Sequence, residues 1–328
     1  MPQSSIIPTP AGTSLKGKTC LITGANTGIG LEIARQLLAL NASRVIITSR
    51  DVSKGQAAVA ALRKDSEVTS KNPTAIVETF HLDLDDYRSV MKFCEQVKGE
   101  VRELDILICN GGTNIMDFQR SKTGHERVMQ VNCYSHFLLI LELLPLLKST
   151  SLKRGTPSRL TIVGSGTQHY HTLSKTPLRA NENVLSHWDD TNIYQGLSRY
   201  SDSKLTINAF IRRLANTVPD TEVIINNFCP GMVAGTALDA GIPIWLRAIM
   251  RVLRRFRGRT LEQAGWMAMH VVAVAGRETH GKFFQNNRVD AGPPFLQSPA
   301  GVEYIDRLWS DFLGDVIPLD TGLEVFKE

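Results

Sequence analysis

Nothing in this chain reads as a disulfide frame, a zinc site or a membrane span. Its 328 residues hold five cysteines, Cys20, Cys94, Cys109, Cys133 and Cys229, and no two form a Cys-x-x-Cys pair. All five fall in apolar stretches, so they read as small buried hydrophobes in a reducing compartment. No apolar run approaches the roughly 18 residues of a spanning helix. The Ser/Thr/Pro-rich stretch Met1–Leu15 lacks a long apolar h-region, which argues against a signal peptide and makes the cytoplasm the expected location. No internal repeat or low-complexity tract is present. A net charge of +5 is too small to argue for nucleic acid, although it would suit an anionic ligand. A hydrophobic share of 42% over this length is ample for a core.

What is present is an alternation of short apolar runs and helical periods. Lys18–Thr23, Arg44–Ser49, Thr74–Leu82, Leu104–Asn110, Arg159–Ser165 and Glu222–Cys229 read as strands. Lys54–Lys64, Tyr87–Val97, Glu126–Leu147 and Ser201–Val218 read as helices between or after them. This order predicts an α/β fold, a doubly wound parallel sheet with helices on both faces. The expected organisation is a flexible lead-in over residues 1–15 and one domain over 16–328.

The first strand feeds Gly24-Ala25-Asn26-Thr27-Gly28-Ile29-Gly30, then Ile33, Ala34, Leu37 and Leu38 at helical spacing. A glycine turn at a helix N-terminus is a phosphate cradle: free N–H groups and the positive end of the helix dipole attract the charge. Tyr200 and Lys204, four apart on a helix, put a phenol and an ammonium on one face, where the ammonium stabilises the phenolate. Ser165 ends the fifth strand, where a hydroxyl can hydrogen-bond a substrate oxygen. The polar stretch Gly166–Leu197, with Thr167, Gln168, His169, His171, Asn181, Asn183, Trp188 and Asp189, is expected to be a site-lining loop.

Taken together these residues resemble the classical short-chain dehydrogenase/reductase family, from about Leu15 to Leu313. Thr23-Gly24-x-x-x-Gly28-x-Gly30 is similar to its cofactor loop, Leu82-Asp83-Leu84 to its adenine-contacting acid, and Asn110-Gly111-Gly112 to its Asn-Ala-Gly. Asn132 stands at its relay asparagine, Ser165 and Tyr200-x-x-x-Lys204 at its catalytic set, and Pro230-Gly231-Met232-Val233 beside its nicotinamide. The resemblance implies a Rossmann fold and a hydride exchanged with a nicotinamide cofactor. Tyr200 would move the proton, and Lys204 would lower its pKa and hold the nicotinamide ribose. Cofactor contacts are then expected from Gly24, Thr27, Gly28, Ile29, Gly30, Arg50, Asp83, Leu84, Asn110, Tyr200, Lys204, Val233 and Thr236. Two departures stand out. The Ser165-to-Tyr200 gap is long, as in retinol-dehydrogenase-like and fungal secondary-metabolism members. The threonine five residues after Pro230 is Gly235, with Thr236 one later. Dimers or tetramers recur in the family, without a local sign here of a homo-oligomer.

An acid at the tip of the second strand would hold a ribose 2′-OH; here Ser49 and Arg50 stand there, with Asp51 one position late, so NADP(H) is the expected cofactor. Ile242–Arg259 is amphipathic, with Ile242, Trp245, Leu246, Ile249, Leu253 and Phe256 in a stripe and Arg247, Arg251, Arg254 and Arg255 mostly opposite. By resemblance it is the substrate lid. Its stripe, with Trp188 and Tyr194, is expected to wall a pocket for a bulky apolar carbonyl or alcohol, while its basic face also suits peripheral contact with a membrane surface. The alternatives are a retinol-dehydrogenase-like membrane-associated enzyme and a catalytically silent NADP-binding sensor or scaffold.

Overall fold

The computed structural model describes residues 5–234 and 241–327. Among them β1 (Thr19–Ile22), β2 (Arg44–Ser49), β3 (Ile76–His81), β4 (Ile106–Cys109), β5 (Ser158–Val163), β6 (Val223–Cys229), β7 (Lys282–Gln285) and β8 (Arg288–Asp290) form one sheet in the order β3-β2-β1-β4-β5-β6-β7-β8. Every neighbouring pair is parallel except β7–β8. The helices are α1 (Gly28–Ala39), α2 (Val52–Lys64), α3 (Ser66–Lys71), α4 (Tyr87–Glu100), α5 (Arg127–Met129), α6 (Ser135–Arg154), α7 (Val184–Asp189), α8 (Gly196–Thr217), α9 (Ile244–Arg257), α10 (Leu261–Met269) and α11 (Pro299–Val316).

The strands are apolar on both faces because both are covered. Leu21, Ile46, Leu107, Leu160 and Ile225 enter one core with residues of α4, α6, α8 and α11, whereas Cys20, Ile22, Val45, Ile47, Ile106 and Ile108 enter the other with residues of α1, α2 and α10. This period-2 split is the doubly wound sheet the sequence predicts. Strand order reverses between β1 and β4, so the crevice at their C-terminal ends is where a ligand fits. The five cysteines are buried and free.

Two expectations are corrected. Within the 1–15 lead-in, Ile6 and Leu15 are buried in the α1/α10 core and the Leu15 amide donates to Leu40 O at 2.7 Å, so residues 5–15 dock on the domain. The stretch Arg127–Arg154 is long and apolar enough to cross a membrane by composition, but it is a core helix whose most apolar part is largely buried. The predicted helix 126–147 is present as one helical run that extends to Arg154, with a π turn over Gln130–Tyr134 inside it between α5 and α6.

Candidate active site

The glycine loop is built by its neighbours. Thr48 Oγ1 accepts from the Gly24 amide, and Asn110 Nδ2 donates to the carbonyls of Thr23 and Gly24 at 3.0 and 3.1 Å. Gly24 has φ +60°, and a Cβ on it would stand 2.8 Å from Gly111 Cα; one on Gly30 would stand 2.5 Å from Asn110 Nδ2. At the Asn-Gly-Gly departure, a Cβ on Gly111 would stand 2.6 Å from Leu84 Cδ1, the mobile end of a side chain that could shift aside. At the start of α1, Thr27 makes no side-chain cap and no acid occupies the first turn. Glycines, open amides and an uncapped dipole end fit a dinucleotide pyrophosphate. Thr27 is exposed, while Gly28 and Ile29 are half-buried on the same rim.

At the adenine end, Asp83 and Leu84 are buried. Asp83 Oδ2 pairs with Lys122 at 2.7 Å, and Oδ1 accepts from the Asp85 amide. Burial pushes this carboxyl up, but Lys122, the Asp85 amide and the charge of Arg50 outweigh it and hold it below its usual range. Arg50 is exposed at the tip of β2. The neighbouring Asp51 is occupied as the cap of α2: it accepts from the Lys54 amide and from Ser53 Oγ. The pairing of Lys122 with Asp83 had no sequence signal, since a lone lysine in a loop carries none.

Lys204 and Tyr200 meet beside the end of β5, which Ser165 follows in sequence. Lys204 is buried on α8, and its Nζ donates to Val163 O at 2.8 Å, two residues before Ser165. The same Nζ lies 5.3 Å from the centre of the Tyr200 ring. Burial lowers the Lys204 pKa to about 8, so the group stays mostly protonated at neutral pH. Ser165 and Tyr200 are half-buried. Ser165 Oγ accepts from the Thr167 amide and hydroxyl. Asn132 sits in the π turn; its Oδ1 accepts from the Thr113 amide, and its Nδ2 donates to Thr113 O and to Ser203 Oγ. Ser203 in turn donates to Tyr200 O at 2.7 Å. Asn132 thus braces the tyrosine turn through Ser203.

His136 also escaped the sequence reading. Its Nδ1 lies 3.3 Å from Asn132 O and its Nε2 2.9 Å from Thr23 Oγ1, which already accepts from the Asn110 and Gly111 amides. Burial lowers its pKa to about 4, so it is neutral. The Thr23 hydroxyl proton is free to point at Nε2, which makes Nδ1–H the donor to Asn132. This links the cofactor loop to the relay asparagine.

The long segment before Tyr200 is less of a loop than expected. It contains α7, and α8 begins at Gly196, upstream of the predicted start. Trp188 is not a pocket wall: it is buried, donates to the Tyr304 hydroxyl and lies in the core beneath α11. Asp189 accepts from the Glu126 amide and pairs with His125, and Asp202 accepts from the Thr172 amide and hydroxyl, so the polar residues here mostly fasten the segment down. Tyr194 is half-buried; its hydroxyl donates to Ile115 O and its ring meets Phe118 edge-on at 5.3 Å. Ile115, Met116 and Phe118 are half-buried with it in the stretch that follows β4.

Val233 is buried and bridges Arg259; Gly235 and Thr236 lie outside the described residues. The helix expected as a lid is present as α9 but turned opposite to expectation. Ile242 is buried, whereas Trp245 is 63% exposed, Phe256 79%, and Ile249 and Leu253 are exposed too. Arg247 and Arg254 lie on its half-buried side and Arg255 is exposed; the side chain of Arg251 lies outside what is described. The stripe therefore faces outward.

A family model for short chain dehydrogenase matches residues 18–172. The chain is 50% identical over 289 residues to the short chain dehydrogenase sor7 of Hypocrea jecorina, covering 88% of this chain and 80% of that protein. It is 40% identical over 320 residues to the short chain dehydrogenase macD of Penicillium terrestre, covering 97% of each. Among solved structures, one of an uncharacterised protein from Mycobacterium paratuberculosis superposes with a TM-score of 0.65 at 21% identity, over 95% of this chain and 97% of the other. With these relatives, the Rossmann sheet and the glycine loop in place, the chain belongs to the classical short-chain dehydrogenase/reductase family.

Proposed function

We propose that this oxidoreductase uses NADP(H) to interconvert a carbonyl and a secondary alcohol on a bulky, mostly apolar substrate. The observation that carries the reading is the buried Lys204 ammonium, held by Val163 O beside Ser165 and set 5.3 Å from the Tyr200 ring. A bound nicotinamide supplies or accepts the hydride. Tyr200 gives a proton to the substrate oxygen in reduction or takes it in oxidation. Ser165 Oγ hydrogen-bonds the same oxygen, and Lys204 favours the phenolate. Asn132, through Ser203, keeps the Tyr200 turn in register with the loop that follows β4. The intact set speaks against a silent sensor.

The choice of NADP(H) rests on Arg50 and on Asp51 being occupied as a helix cap. A charge-assisted pair contributes about 1.5–3 kcal/mol, so Arg50→Ala is expected to raise KM for NADPH by about 10- to 100-fold. KM for NADH should change little. Equal effects on the two cofactors in steady-state kinetics would make Arg50 a plain surface residue. The apolar-substrate reading is supported by the half-buried apolar residues Ile115, Met116, Phe118 and Tyr194 that precede α8 and follow β4. The chain enters α9 past a bridge between Ile115 and Gly241 and leaves it at Arg259, which supports a lid role.

A second reading, in which this enzyme also rests on a membrane, is favoured by the outward stripe of α9. Trp245 and Phe256 would enter the headgroup boundary of an anionic bilayer. Arg255 is exposed on the same helix, and no acid lies between Asp239 and Glu262 to repel the lipid charge. Flotation with phosphatidylcholine vesicles, with and without phosphatidylserine, tests it. Expected is binding to the serine-containing vesicles alone, weakened by salt and abolished by Trp245→Ser with Phe256→Ser. No binding contradicts this reading, and a concentration-dependent dimer in light scattering would assign the face to a second copy instead.

A further inference from the structure

Arg259 is only 3% exposed, yet it is not part of the catalytic set or the glycine loop. It stands where α9 ends and just before Thr260, the cap of α10. Its backbone forms a short parallel bridge with Val233: its amide donates to Met232 O at 2.7 Å, and its carbonyl accepts from the Ala234 amide at 3.1 Å. Its guanidinium reaches further, with Nη1 donating to Pro230 O at 3.2 Å and Nη2 to Asn286 Oδ1 at 2.5 Å in the β7–β8 hairpin. One residue thus holds the 230–234 segment at Pro230, Met232 and Ala234 and ties it to the sheet edge. On the segment's other side, Cys229 Sγ accepts from the Gly166 and Gly231 amides at 3.3 Å each, joining it to the turn that follows Ser165.

We propose that Arg259 is a positioning residue for the nicotinamide end of the cofactor. It sets the height of the Pro230–Val233 backbone over the crevice and couples that height to the base of the lid. The proposal rests on the nicotinamide reading above. The rigid fork of a guanidinium suits the task because it can bond two acceptors in fixed directions, which an ammonium cannot reproduce. Methionine would fill similar volume but offers no donor to Pro230 O or Asn286.

The test compares Arg259→Met and Arg259→Lys with the unaltered chain, by calorimetric titration with NADPH and with 2′,5′-ADP, which shares the adenosine half and lacks nicotinamide. Losing the hydrogen bond to Pro230 O and the tie to Asn286 is expected to weaken NADPH by about tenfold in Arg259→Met and less in Arg259→Lys. The affinity for 2′,5′-ADP should stay where it was. Equal weakening of both ligands would mean a general structural role and overturn the proposal, as would unchanged NADPH affinity in a folded Arg259→Met. If circular dichroism shows Arg259→Met unfolded, the ratio of the two affinities in Arg259→Lys decides by the same criterion. An unaltered chain that binds 2′,5′-ADP and NADPH equally well would overturn the positioning role but not the adenine site; one that binds neither overturns the cofactor reading and this one with it.

Discussion

Tyr200→Phe is expected to lower kcat by about 10²- to 10⁴-fold, the range for removing a positioned proton donor. NADPH affinity should stay nearly unchanged, because the ring remains and only the hydroxyl is lost. The neighbouring groups keep their places: Lys204 Nζ is held by Val163 O, and Ser203 bonds the Tyr200 carbonyl, not its phenol. Lys204→Met should differ in kind. It removes the charge that favours the phenolate and leaves Val163 O without this donor, so both turnover and NADPH binding should fall. Pre-steady-state kinetics with fluorescence titration of NADPH separates the two outcomes. A Tyr200→Phe enzyme with near-normal kcat would remove the tyrosine from the chemistry.

Phe312→Ala is expected to cost about 3–5 kcal/mol of stability, the usual loss for a fully buried aromatic side chain. Phe312 lies on α11 with no exposure, in ring contact with Tyr134, Phe137 and Phe210 at 6.3, 5.5 and 6.2 Å. These rings belong to the π turn, α6 and α8, so the C-terminal helix clamps the elements that carry Asn132 and Tyr200. Denaturant unfolding measures the loss. A change under about 1 kcal/mol would show that the site helices do not depend on this clamp.

The sheet and the cofactor loop were legible because their signals are local. β-branched runs such as Arg44–Ser49 can only be buried on both faces, and Gly24 through Gly30 puts glycines where side chains would collide. The pair β7–β8 was not legible, because four and three residues make too short a run. Its turn, Asn286-Asn287 at φ 54° and 60°, is the one trace it leaves. The π turn at Asn132 carries neither proline nor glycine to announce it. Trp188 was misplaced because an aromatic in a polar stretch has no periodicity to say which way it points; its partner Tyr304 lies 116 residues away. The orientation of α9 failed for a related reason. Amphipathicity fixes which residues share a face, and tertiary context alone fixes where that face looks. Lys122 reaches Asp83, His136 reaches the Thr23 hydroxyl and Arg259 reaches Pro230 O and Asn286, all distant in sequence, so no motif encloses them.

Transfer of deuterium from NADPH labelled at the nicotinamide C4 to a bulky ketone, followed by mass spectrometry of the product, tests the central claim most directly. A panel graded in size, from small hydroxyketones to polycyclic ketones, supplies the substrates. The account predicts one deuterium on the carbinol carbon of the larger apolar ketones, labelling slowed by about 10²- to 10⁴-fold in Tyr200→Phe, and slower labelling when NADH replaces NADPH. Tight NADPH binding with no deuterium transferred to any member of the panel would contradict it.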